Sequence, residues 1–352
     1  MSTIQISPGA ASAREAARKP NGKFGEQEHD ESGVPLDVPG RAFSPSETFT
    51  RRYESVDEKV AAFKVEIDRA VESLADDENW LDYLDMASKF YRYSPTNQLL
   101  IAIQTGGRAT QVAGFRKWKD EFGRTVKKGE KAIGILAPRV VNVTEKDAGG
   151  APVKGPDGKP VKRRQVVGFT TASVFDVSQT EGDPLPELER ELSDDPPEGF
   201  LDDLEAAAKA AGYTVEYREM NSHSNRTAQG WTDPKSKVIV VDSALSRGSV
   251  AATLAHEIGH VYAGHCDPEN DGKYHVGEGG CRGRFEVEAD SVAYVVQRAN
   301  GVYPGQATKL TAQYVAGWSR HDKDALRESA DAVSKASKAI LSAVPFRSVQ
   351  DA

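Results

Sequence analysis

Leu254-Ala255-His256-Glu257-Ile258-Gly259-His260 closes an apolar, helix-compatible run that begins at Val250. Positions four apart on an α-helix lie roughly 40° from one another around the axis, so His256 and His260 share a face. Two neutral imidazoles placed this way can occupy two corners of a tetrahedral zinc site. Glu257 points away from the pair along the helix, yet it can lean over the water that a metal bound there would hold. That is the position of a general base in metal-assisted peptide hydrolysis. Taken alone, the pattern also fits a core helix that carries two solvated histidines and a surface glutamate.

A third ligand separates these readings. The stretch 284–294 has the apolar spacing of a second buried helix, far enough downstream for a loop and a helical return. Glu286 and Asp290 are four apart and share a face. Glu286 can bind zinc while Asp290 accepts a hydrogen bond from a ligand imidazole and fixes its tautomer. Glu288 lies roughly 200° round the helix from Glu286 and is the weaker candidate. His-His-Glu is the gluzincin pattern. The metzincin pattern requires Gly at 263 and His at 266, which are Ala263 and Cys266.

A length of 352 residues suggests two domains, and 38% hydrophobic with 28% charged residues fits a soluble globular chain with some disordered sequence. No apolar run approaches the roughly 20 residues that a membrane span requires. Residues 1–30 lack an apolar signal core, so a cytoplasmic protein without a membrane partner is expected. Cys266 and Cys281 could pair or bind metal, but a reducing compartment favours two free thiols. The net charge of −8 is unevenly spread. Residues 89–164 hold seventeen Lys/Arg against six Asp/Glu, so a basic partner-binding domain is joined to an acidic one.

The expected fold is α+β in two domains. Residues 1–50, rich in Gly, Pro, Ser and charge, read as a disordered arm. Residues 51–182 form the basic domain, 183–198 a Pro-rich acidic linker, and 199–346 the metal domain. Helices are expected at 55–74, 80–91, from Pro95 to the Gly106-Gly107 stop, and at 112–122. Two β-rich runs, 132–143 and 165–177, suggest a long-looped hairpin. After the linker come a helix at 200–211 and strands near 213–217, 227–231 and 237–241. The metal helix starts near 249, Glu286 opens the next, and 313–344 reads as two helices.

Aromatic rings interleaved with cations are what a single-strand binding surface needs, because rings stack on bases while cations track phosphates. Tyr91, Arg92, Tyr93, Lys117 and Trp118 supply both, with Arg124, Lys127, Lys128 and Lys131 from a basic turn. Phe115, Trp118 and Phe122 fit a core face equally well, with the lysines as its solvated rim. Asn97 and Gln98 either cap a helix or touch the strand.

Tyr93-Ser94-Pro95-Thr96-Asn97-Gln98-Leu99-Leu100, Gly114-Phe115-Arg116-Lys117-Trp118, the turn 123–131 and Val174-Phe175-Asp176-Val177-Ser178-Gln179-Thr180 together resemble the N-terminal domain of ArdC-type antirestriction proteins. The C-terminal half resembles the zincin domain of that family, itself similar to ImmA/IrrE-type metallopeptidases. The resemblance covers roughly residues 55–345 and implies a single-stranded-DNA-binding domain joined to a zinc metallopeptidase domain, in proteins carried by mobile elements. It places the third ligand on Glu286. Three functions follow as expectations: a DNA-tethered zinc peptidase that protects incoming DNA and cleaves an unidentified protein, a strand-coating protein without proteolysis, or an ImmA-like peptidase that cleaves a repressor.

Overall fold

The computed structural model describes residues 43, 46–147, 149–182, 195–220, 229–274, 281–302, 322–344 and 346. The first helix, α1 (Val56–Ser73), starts where the Ser55 hydroxyl accepts from the Glu58 amide, and it buries Val60, Phe63, Ile67 and Val71. Asp76 caps α2 (Asp77–Lys89) in the same way. Ser94 and Pro95 open α3 (Pro95–Thr105), and Gly106 at φ 59° closes it in the left-handed conformation that glycine adopts without a Cβ clash. The expected helix at 112–122 is shorter. Val112–Gly114 is a strand, β1, and only Phe115–Asp120 is helical, α4. β1 is drawn into a sheet because it pairs antiparallel with Val174, Phe175 and Asp176.

β3 (Ile133–Thr144) and β4 (Lys162–Asp176) form the long hairpin, in sheet order β1-β4-β3. Asn97 and Gln104, exposed in part on α3, clamp the backbone of β3. The Asn97 amide donates to Leu136 O at 2.9 Å and its carbonyl accepts from Leu136 N at 2.9 Å. Gln104 treats Gly134 likewise. β2 (Arg124–Val126) pairs with β5 (Thr180–Gly182) to close this domain. The expected disordered arm is structured at its end. Phe43 is buried, Ser46 and Thr48 donate to Glu66 of α1, and the Phe49 ring meets Phe63 edge-on.

The second domain starts with α5 (Phe200–Ala210), then β6 (Thr214–Arg218), β7 (Gly230–Asp233) and β8 (Val238–Asp242). β8 is central, parallel to β6 and antiparallel to β7, and Ile239, Val240 and Val241 are buried. Among the described residues three helices follow: α6 (Arg247–Tyr262), α7 (Arg282–Ala299) and α8 (Lys323–Ala343). Residues 303–321, into which the start of the expected helix pair at 313–344 falls, lie outside the described residues, as do positions 183–194 of the linker.

The two domains share one buried seam, and residues 40–352 cluster as a single unit. Trp80 and Tyr83 of α2 are fully buried. Trp80 Nε1 donates to Ser291 Oγ on α7 at 3.0 Å, and the Tyr83 hydroxyl donates to Ala330 O on α8 at 3.2 Å. Asp85 accepts from the Tyr294 hydroxyl at 2.8 Å and from Arg298 Nε at 2.9 Å. Burial of each large side chain contributes about 1.5–3 kcal/mol, so this seam couples the two domains rather than tethering them.

Candidate metal centre and basic surface

α6 is held at its start by Ser246, whose hydroxyl accepts from the Ser249 amide, and it buries Val250, Ala251, Leu254, Ala255 and Ile258. Its histidine face therefore has one direction to look, toward α7. The two helices come close because position 259 is glycine: a Cβ there would sit 2.9 Å from Ala289 O and 3.2 Å from Ala289 Cα. That approach brings Glu286 of α7 to His256 and His260, and donor atoms of all three lie within 4.8 Å of one another. The two Nε2 atoms are 3.1 Å apart, and His256 Nε2 is 3.5 Å from Glu286 Oε2.

The remaining ring nitrogens are engaged. His256 Nδ1 lies 2.6 Å from Asp290 Oδ1. His260 Nδ1 lies 2.8 Å from His265 Nδ1, and His265 Nε2 lies 2.8 Å from Glu288 Oε2. Each ligand imidazole thus has its Nδ1 held from behind and its Nε2 turned to a common point. Burial disfavours the His256 imidazolium, yet the Asp290 carboxylate outweighs it and lifts the group to about 9. Burial, with His256 and His265 as neighbours, pushes His260 well below the ordinary range. Two imidazoles and a carboxylate, converging and held from behind, fit a divalent cation.

Glu257 is buried but stands outside the ligand cluster. The Thr232 hydroxyl on β7 donates to its Oε2 at 2.7 Å. Burial raises its pKa, against the opposing pull of His256 and of that hydroxyl. Position 230 must be small here, since a Cβ at Gly230 would meet Thr253 Cγ2 at 2.6 Å and crowd Glu257.

Glu288 does not ligate. It is a 2% exposed carboxylate that receives Arg284 Nε at 2.7 Å and the Ser329 hydroxyl in addition to His265. Burial acts to raise its pKa, but His265, Arg284 and Ser329 hold it below the usual carboxylate range. His265 is further fixed by Phe285, whose ring stacks on it with centroids 4.1 Å apart. Nothing in the spacing of the sequence singles out His265, because the turn after α6 folds it back onto His260. Tyr274, also unmarked by any motif, donates its hydroxyl to Glu286. Cys266 and Cys281 are both free thiols.

The basic residues divide. Gln98 and Trp118 are fully buried, Gln98 Nε2 donating to Phe90 O and Trp118 Nε1 to Phe175 O, so neither faces a strand. Asn97 is committed to β3. The Tyr93 hydroxyl donates to Val112 O, Arg124 binds the Thr180 side chain and backbone, and Lys127 donates to Ser178 O. Tyr91 is half-buried beneath Arg92. Arg92, Lys117, Lys128 and Lys131 remain exposed, and Lys131 lines a cavity of about 620 Å³ with Arg108, Phe49 and Gln104. No described helix is long and apolar enough to cross a membrane.

Residues 56–175 match the family model of the N-terminal domain of anti-restriction factor ArdC, and residues 208–293 match that of the IrrE N-terminal-like domain, a peptidase M78 model. Every residue from His256 to Asp290 named above falls in the second match. No curated protein matches the sequence. Among solved structures, the antirestriction ArdC protein from plasmid R388 is 20% identical, over 72% of this chain and 86% of that one. Its metal-free and Mn(II)-bound forms superpose with TM-scores of 0.43 and 0.42. The chain thus joins, in one polypeptide, a domain that matches the ArdC N-terminal model to one that matches the IrrE-like peptidase model.

Proposed function

We propose that the protein is a zinc metallopeptidase of antirestriction type that acts in the cytoplasm, binds single-stranded DNA through its basic domain and protects incoming mobile-element DNA. The observation that carries the peptidase half is the convergence of His256, His260 and Glu286 beside a buried Glu257 that is not one of them. Zinc bound by these three would supply Lewis acidity to a peptide carbonyl and acidify a water. Glu257 takes the proton of the attacking water and returns it to the leaving amine. Thr232 holds that carboxylate in place, and burial makes it a stronger base than a solvated glutamate. Asp290 keeps the proton of His256 on Nδ1, so Nε2 faces the metal. The uneven charge and the exposed cations of residues 89–164 support the DNA-binding half.

Glu257→Gln is the test. The variant should keep its zinc, bind a labelled oligo-dT normally and lose peptide cleavage by orders of magnitude. A transformation assay against a restricting host then reads the link between the activities. Protection lost with DNA binding intact supports proteolysis as the mechanism; full protection by the variant shows that strand occupancy suffices. Cleavage that survives Glu257→Gln overturns the assignment.

A further inference from the structure

β3 and β4 begin as a buried sheet and end as something else. Ile133, Ile135, Leu136 and Val174 are buried against the helices, but from Pro138 and Phe169 outward the hairpin continues as two strands alone. β1 pairs only with Val174, Phe175 and Asp176, so it gives this distal part no third strand. The register breaks between Arg139 and Val140, where Val167 is the extra residue and Gly168 takes φ 153°. A bulge at a glycine bends and twists a ribbon, which turns its far end away from the sheet it came from.

The uncovered ribbon is both apolar and basic. Val166 is 55% exposed and Phe169 47%. The register places Phe169, Val166 and Arg164 on one face, with Arg139, Val141 and Arg163 on the other. Among the described residues, Arg139, Lys162, Arg163 and Arg164 form no ion pair with any carboxylate. Residues 139–164 hold seven Lys/Arg against three Asp/Glu in a chain whose net charge is −8. A ribbon that leaves apolar side chains in water between unpaired cations complements a polyanion with apolar faces. Duplex DNA hides its base faces in the stack, whereas a single strand offers them.

We propose that the distal β3–β4 arm is the principal contact of the protein with single-stranded nucleic acid, Phe169 stacking on a base while Arg164 on the same face, and Arg139 and Arg163 where the strand wraps round the two-stranded ribbon, meet phosphates. This rests on the single-strand reading given above and moves its centre from the helices to the arm. The geometry requires two separable contributions. Removal of cations reduces the number of counterions released, and removal of the ring does not.

The experiment uses the full chain and a fluorescein-labelled oligo-dT, followed by anisotropy across a salt series. Arg139→Gln, Arg163→Gln and Arg164→Gln together should lower the slope of log affinity against log salt by about 2, at about 0.7 per phosphate contact. Phe169→Ala should weaken binding about tenfold at every salt concentration and leave the slope unchanged. Phe169→Trp should retain binding and lose ring fluorescence when oligo-dT is added. A matched loss of three charges on the other domain, Lys209→Gln, Lys235→Gln and Lys335→Gln, all exposed, should change neither quantity. Wild-type affinity and slope in the triple variant, with the wild-type chain binding, overturn the arm and leave the single-strand reading standing. A wild-type chain that does not bind oligo-dT, or that prefers duplex of the same length, overturns both. Because every substituted side chain is exposed, melting temperature should stay at the wild-type value. If the triple variant is misfolded, the Phe169→Trp signal decides: no change on adding oligo-dT overturns the arm.

Discussion

His265 holds His260 as Asp290 holds His256, and the two supports differ in kind. Asp290 is one carboxylate on the same helix as Glu286. His265 is the middle of a chain that passes from His260 through Glu288 to Arg284 and Ser329, and so reaches α8. Groups that orient a ligand imidazole typically contribute about 10–100-fold to metal affinity. His265→Ala and Glu288→Gln should each weaken zinc binding by that amount, measured by competition with a chromogenic chelator. Asp290→Asn should do the same through the other imidazole. Thr232→Val provides the contrast: its hydroxyl bonds Glu257 and none of the three candidate ligands, so cleavage should slow while zinc affinity stays at the wild-type value. Equal zinc affinity in His265→Ala and the wild type would remove the relay from the site.

At the scale of elements, the site depends on how closely α6 and α7 approach. Gly259 stands where the backbone of Ala289 passes, and a Cβ at 2.9 Å from a backbone oxygen has no flexible neighbour to displace. Gly259→Ala should therefore part the helices and lower stability by about 1–3 kcal/mol, the usual range for an overpacked core. The same separation moves Glu286 from the two imidazoles, so zinc affinity should fall as well. Denaturant unfolding and metal titration of the one variant read both effects. A stabilised variant, as expected if only helix propensity mattered, would contradict this packing.

At the scale of the molecule, the seam between the domains governs what can be separated. Trp80 is wholly buried and bonded to Ser291, one position beyond Asp290 on the helix that carries Glu286, one of the three candidate metal ligands. Full-length protein should unfold in one transition seen equally by probes in either domain, and chelation of zinc should lower that shared midpoint. Trp80→Ala should cost about 3–5 kcal/mol and split the transition, the metal domain melting first. Fragments 51–182 and 199–346 should each bind a hydrophobic dye when made alone and lose that signal when mixed. Two well-behaved fragments with unchanged midpoints would show that the seam contributes little.

The sequence by itself determined what repeats along a single helix. Histidines four apart must share a face, and so must Glu286 and Asp290, whatever surrounds them; Ser94-Pro95 and Gly106 likewise bound α3 from local chemistry alone. It also determined the charge of residues 89–164, because composition does not depend on folding. Only the tertiary structure decided which cations remain free. Trp118 and Gln98 look like binding groups beside lysines, yet packing turns them inward, where their polar atoms meet backbone carbonyls. It decided that Val112–Gly114 is a strand, since its partner lies at the far end of β4. It also brought His265 and Glu288 to the candidate metal centre, from a turn and from the opposite side of α7. Local periodicity carries information over one or two turns of chain; a contact that spans a loop or joins two domains depends on the free energy of the whole packed core.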